Sequence, residues 1–351
     1  MIKTNTVFIL GAGANVEIGM PTGVKLAEEI SIYLQTLSNI INREDGRYFN
    51  GLQLDYAIRN HPRPELDSLV KSASAISKGI LTARSIDEYL DSFSSYPEFA
   101  KVGKMAIVRA IFKYELGSSL YVKNGNHYNV TLDQRLVGKS WYPWLIRMLT
   151  ADVNALEAQK ALSNVKFVSF NYDRCLEQYL TYSLAVRFNI SIQDVQKLLT
   201  DNPVLHAYGS IDPLATWDGR RGSVFGAEDG YDLREKWKNI KTFSEEIDDN
   251  DEQLVTIRNT IAEAERLVFL GFAFHSPNMK LLDPGRKIKA KHIYATAFGM
   301  SVNDRQLIES ELQNQWGAHD RIPDVRGSPS VTIVDQTCEN FMADYQRILM
   351  S

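Results

Sequence analysis

The sequence predicts an α/β protein with a Rossmann-like, doubly wound and mainly parallel sheet and a large helical insertion. Three observations lead there. Short apolar runs rich in β-branched residues recur along the 351-residue chain. Amphipathic segments of helical period separate them. The first run, Thr6-Val7-Phe8-Ile9-Leu10, enters Gly11-Ala12-Gly13 directly, the strand-to-glycine-loop transition that opens a βα unit.

The elements follow in order. Residues 6–10 read as a strand buried on both faces. Thr22 is placed to cap a helix carrying Val24, Ala27, Ile30 and Leu34. From about residue 35 to 160 the strand signal fades, which defines a helical insertion within a single domain spanning 1–351. Inside it, Ser85-Ile86-Asp87-Glu88 fits a capping box, and Pro97 to Leu116 carries a continuous apolar stripe. Lys123-Asn124-Gly125-Asn126 and Trp141-Tyr142-Pro143-Trp144 lie between helical stretches. Strands resume at 165–170, 204–206, 266–271, 292–297 and 330–334. A helix is expected from Asp173, and an amphipathic one from Glu252 to Glu265. Ser276 is the expected N-cap of a further helix, with Pro277 at its first position. The acidic run from Glu245 to Glu252 reads as a solvated loop.

Composition excludes several functions. With 39 basic and 43 acidic side chains the net charge is −4, and no basic-aromatic stripe offers a nucleic-acid face. Two cysteines, Cys175 and Cys338, build neither a disulfide framework nor a four-cysteine zinc site. His61, His127, His292 and His319 lack metal-ligand spacing, so no metal is expected. Trp141, Trp144 and Trp217 are assigned to core or interface. Without a signal peptide or a membrane-length apolar run, a soluble, cytoplasmic protein is expected. Past Val334 only a helix-sized tail is expected, with Glu339, Phe341, Tyr345 and Leu349.

Chemistry concentrates where strands end. Gly11 and Gly13 allow close approach to a diphosphate at a helix N-terminus. Their spacing, with the next glycine at Gly19, departs from G-x-G-x-x-G, and a tight turn without ligand would use the same residues. Phe170-Asn171-Tyr172-Asp173, His206-Ala207-Tyr208-Gly209 and the segment from Leu270 to Asn278 each follow a strand. In a parallel sheet, Asn171, His206 and Gly271 should therefore converge near Gly11 and Gly13. Asn171 is equally suited to a turn, and His206 to a buried structural histidine. His275 is expected to pack beside a helix start.

Taken together and in this order, residues 11–15, 19–23, 169–173, 206–209 and 270–278 resemble the bacterial sirtuin-like family. The resemblance is greatest to the branch that hydrolyses NAD in anti-phage defence, including Thoeris-type effectors. It implies that Gly11, Ala12, Gly13 and Asn15 cradle the NAD diphosphate and that Pro21 and Thr22 line the pocket. Asn171 and His206 would be the catalytic asparagine and histidine. Asp173, Gly271 and Phe272 would complete the cofactor-binding set, the last two near the ribose.

Deacylating sirtuins carry two cysteine pairs for zinc, which this chain lacks, so no zinc is expected. Phe170-Asn171-Tyr172-Asp173 stands in place of their Gln-Asn-Ile-Asp. Water is thus the expected acceptor, and the expected activity is an NAD+ hydrolase releasing nicotinamide and ADP-ribose. The alternatives are a zinc-free NAD-dependent deacylase or ADP-ribosyltransferase, and a non-catalytic nucleotide-sensing scaffold. Control is expected from homo-oligomerisation or from a partner such as a HerA-type ATPase or helicase.

Overall fold

The computed structural model describes residues 1–41, 63–122, 132–227, 233–242, 245, 251–317 and 329–351. The fold is α/β. Six strands form one sheet: β1 (Thr6–Leu10), β2 (Val165–Ser169), β3 (Val204–His206), β4 (Arg266–Leu270), β5 (His292–Thr296) and β6 (Ser330–Val334). Every pairing is parallel, and the spatial order is β3-β2-β1-β4-β5-β6. The order reverses between β1 and β4, the switch point of a doubly wound sheet. All five residues of β1 and of β4 are buried, as expected of central strands with both faces covered. Edge strand β6 is only partly buried.

The helices used below are α1 (Gly23–Ile41), α2 (Arg63–Gly79), α3 (Ile86–Asp91), α4 (Pro97–Gly117), α5 (Tyr142–Thr150), α6 (Cys175–Phe188), α7 (Ile192–Asp201), α8 (Glu252–Glu263), α9 (Ser276–Leu282), α10 (Val302–Gly317) and α11 (Cys338–Met350). Thr22 caps α1 by accepting the Lys25 N–H at 3.3 Å. Ser85 caps α3 by accepting the Glu88 N–H at 3.1 Å. The return arm of that box differs from expectation, because Glu88 Oε2 takes the Arg84 N–H at 2.7 Å. Helix α9 begins one residue earlier than expected: His275 is its N-cap, and Ser276 is already helical.

Helix α1 packs on α2 and α4, and α11 packs on α5. Glu17, in a 3-10 helix over Ala12–Ile18, accepts the backbone N–H groups of Trp141 (3.0 Å) and Glu339 (2.8 Å). One carboxylate thereby joins the first loop to the starts of α5 and α11. Trp141 is fully buried, whereas Trp217 is 59 % exposed and lies outside the core.

The acidic run is not simply solvated. Glu245 pairs with the buried Lys104, and Asp251 both caps α8 and pairs with Lys241 at 2.8 Å. Its middle residues, like Lys123 to Asn126, His61, His127 and His319, lie outside the described residues. Among the described residues no helix is long and apolar enough to cross a membrane.

Candidate active site at the carboxyl edge of the sheet

Strand register brings the expected residues together. Leu10 is level with Ser169 and Leu270, and Ser169 is level with His206. The next residues of each strand therefore meet at one edge. Asn171 Nδ2 donates to the Gly11 carbonyl at 3.1 Å, and His206 Nδ1 lies 2.9 Å from the Asn171 backbone carbonyl. Gly13 N–H donates to the Gly271 carbonyl at 3.0 Å. Asn171 and His206 are each 7 % exposed.

The glycines at the switch point serve contact between two backbones. A Cβ on Gly11 would lie 2.5 Å from the Gly271 oxygen, and one on Gly13 2.9 Å from the Gly271 Cα. Gly271 itself has φ +56°, and a Cβ there would fall 2.0 Å from the Ala14 nitrogen. Gly11 N–H is also committed, to the Leu270 carbonyl at 3.0 Å. Ala12 is the exposed residue of this turn.

The other expected ligand residues sit as follows. Asn15 is 2 % exposed, with its amide donating to both Asp173 oxygens at 2.9 and 3.0 Å. Its carbonyl accepts the Tyr142 hydroxyl at 2.8 Å. Asp173 Oδ1 also accepts the Cys175 N–H at 3.0 Å, one residue into α6. Burial raises the Asp173 pKa, against the lowering effect of those hydrogen bonds. Phe272 packs edge-on to Phe170 at 5.0 Å and against Phe269 and Phe274, in an aromatic cluster that Tyr208 also joins. Phe274 is left-handed, at φ +55°. Pro21 is buried at the entry of α1, beside Thr22.

Three successive residues after Asn171 are each gripped by a different helix of the 35–160 region. Tyr172 donates to Asp87 of α3 at 2.7 Å. Asp173 is held through Asn15 by Tyr142 of α5. Arg174 forks onto Glu115 of α4, with contacts of 3.0 and 2.5 Å. This region thus fixes the conformation of the loop beside Asn171.

Glu177, Asp87 and Gln253 were not singled out in the sequence. His206 Nε2 lies 2.8 Å from Glu177 Oε1, and Gln253 Nε2 donates to the His206 backbone carbonyl. Burial alone would lower the His206 pKa; the Glu177 charge and the hydrogen bonds of Glu177 and Asn171 carry it above 6.5. Burial pushes the Asp87 carboxyl up to about 6, despite its hydrogen bond with Tyr172. No local spacing marks Glu177, whose partner His206 is supplied by β3.

A pocket opens beside the β3 exit, lined by Ala207, Gly209, Asn239, Lys241, Asp251 and Gln253 among others. None of the expected site residues lines it. Among the described residues no group of three or more His, Cys, Asp or Glu is arranged to hold a metal. The chain matches no known protein-family model and no curated protein.

Proposed function

We propose that the protein is a sirtuin-like NAD+ hydrolase that cleaves the nicotinamide–ribose bond, with Asn171 and His206 as its catalytic residues. The observation that carries this reading is the contact of the His206 ring with the Asn171 backbone carbonyl at the carboxyl edge, beside the switch point, where nucleotides bind in such sheets. Nicotinamide departs as positive charge spreads over the ribose ring. A neutral amide at Asn171 orients ribose hydroxyls or the attacking water without adding charge. His206 Nδ1 is held by the Asn171 backbone carbonyl, so Nε2, once free of its contact with Glu177, is the atom that accepts the proton lost by water.

The residues of the motifs support the family assignment, with water as acceptor and no zinc required. The role in anti-phage NAD depletion belongs to the same reading. An unregulated NAD hydrolase would drain its own cell, so control falls to self-association or to a partner such as a HerA-type ATPase.

A second reading, a non-catalytic nucleotide-sensing scaffold, draws on the glycines. Their contact with Gly271 accounts for Gly11 and Gly13 without a diphosphate. Incubation with NAD+ and measurement of nicotinamide and ADP-ribose separates the two. Equal amounts of both products support hydrolysis, and NAD+ binding without products supports the scaffold. NAD-dependent consumption of an acylated peptide would instead indicate a deacylase.

A further inference from the structure

His206 presents both ring nitrogens to oxygen atoms. Nδ1 faces the Asn171 carbonyl at 2.9 Å, an atom that only accepts. Nε2 faces Glu177 Oε1 at 2.8 Å. Opposite an ionised Glu177, a neutral imidazole has one N–H and satisfies one of these contacts, whereas an imidazolium has two and satisfies both. The other carboxylate oxygen, Glu177 Oε2, is buried with no hydrogen-bond partner among the described residues. An ionised carboxylate so placed draws its compensation from the charge on His206.

We infer that Glu177 is the positioning residue of His206, holding its ring as an imidazolium paired with a carboxylate while the site is at rest. The inference rests on the reading of His206 as the proton acceptor, and it states what precedes that step. The Nε2 proton first leaves to solvent, giving a neutral ring with Nδ1–H still on the Asn171 carbonyl. Nε2 then takes the proton of the attacking water as its oxygen bonds to the ribose carbon and nicotinamide departs with the electrons of the broken bond. The imidazolium is restored, the pair with Glu177 re-forms, and one proton per NAD+ has been released.

Among the described residues the groups facing the ring are few. Glu177 comes from α6, and Asp173, whose charge acts in the same direction, from the loop before it. From α8 comes Gln253, an uncharged amide that contacts the His206 backbone. Asp251 and Lys241, on the wall of the neighbouring pocket, pair with each other.

Nitrogen-15 NMR of histidine-labelled protein tests the pair directly, with the His206 signals assigned by their loss in His206→Asn. In the wild type His206 is expected to carry protons on both nitrogens at pH 6.5 and to titrate above that value. Glu177→Gln keeps the shape and removes the charge, and should lower the midpoint by about 1 pH unit or more. Glu177→Asp, with the charge drawn back, should fall between. A neutral wild-type ring at pH 6.5, or an unchanged midpoint in Glu177→Gln, overturns the inference. The alkaline-rising limb of nicotinamide release should move to lower pH by the same amount in Glu177→Gln, and a limb that stays put also counts against it. If the wild type releases no nicotinamide while the midpoint still falls, the NAD-cleavage reading is lost and the pair stands.

Discussion

Arg174 and Glu115 meet as a fork-to-fork ion pair in which the side chains are 1 % and 0 % exposed. Arg174 also donates to the carbonyls of Pro213, Ser223 and Val224, and Glu115 also accepts the Gly226 N–H. The pair ties α4 to the loop after β2 and to residues 213–226. Burial raises the Glu115 pKa even though Arg174 opposes it, which marks how fully the pair has left water.

Breaking this pair from one side leaves an uncompensated buried charge. Glu115→Ala is expected to destabilise the protein by about 3–5 kcal/mol. Chemical denaturation of the two proteins checks this, and a loss below about 1 kcal/mol would show that Arg174 finds another anion or water.

Asp87 supplies a pH dependence. Tyr172 has one hydroxyl proton but sits 2.7 Å from Asp87 and 2.8 Å from the Lys241 carbonyl. A protonated Asp87 donates to Tyr172, which then donates to Lys241. The folded pKa, about 6, lies above the ordinary 3.8, so this stability is fully present below 3.8 and is lost as pH rises through 6. The loss is about 2 kcal/mol, less than full conversion of the shift because Asp87 is only partly buried. Asp87→Asn, whose amide donates at every pH, should flatten that slope and exceed the wild type in stability at pH 7.5. Thermal denaturation from pH 4 to 8 measures it.

Gly271→Ala combines a left-handed backbone with a Cβ 2.0 Å from the Ala14 nitrogen. The loops after β1 and β4 would have to separate. A loss of more than about 3 kcal/mol is expected, against about 1 kcal/mol for an unhindered glycine at positive φ. Denaturant midpoints decide between these values.

Tyr142→Phe removes the hydroxyl from the buried Asn15 carbonyl and keeps the ring that stacks on Trp141 at 4.4 Å. The expected cost is about 1–3 kcal/mol, the penalty for a stranded buried acceptor. A melting temperature unchanged from the wild type would show that Asn15 is satisfied by water.

Much of the sheet was legible because central strands announce themselves. Residues 6–10, 204–206 and 330–334 match the expected strands, and the other three end one residue early. Thr22 and Ser85 act as caps because an N-cap is a local device. Convergence of Asn171 and His206 on Gly11 followed from parallel register. Long-range polar partnerships were not legible. Asp87 was visible only as part of a cap, and its bond to Tyr172 joins residues 85 positions apart. Glu177 is likewise an ordinary helix residue until β3 brings His206 beside it. Asn15, expected to face a diphosphate, turns to Asp173 and Tyr142, a choice that depends on α5 arriving from far along the chain.

Under the proposed function, Asn171 and His206 cleave NAD+. The most direct measurement is the rate of nicotinamide release by the wild type and by Asn171→Ala, each confirmed as folded by its melting curve. The expected result is release of nicotinamide with an equal amount of ADP-ribose, falling by about 100-fold or more in Asn171→Ala. Undiminished release by Asn171→Ala, or none from the wild type, would contradict it.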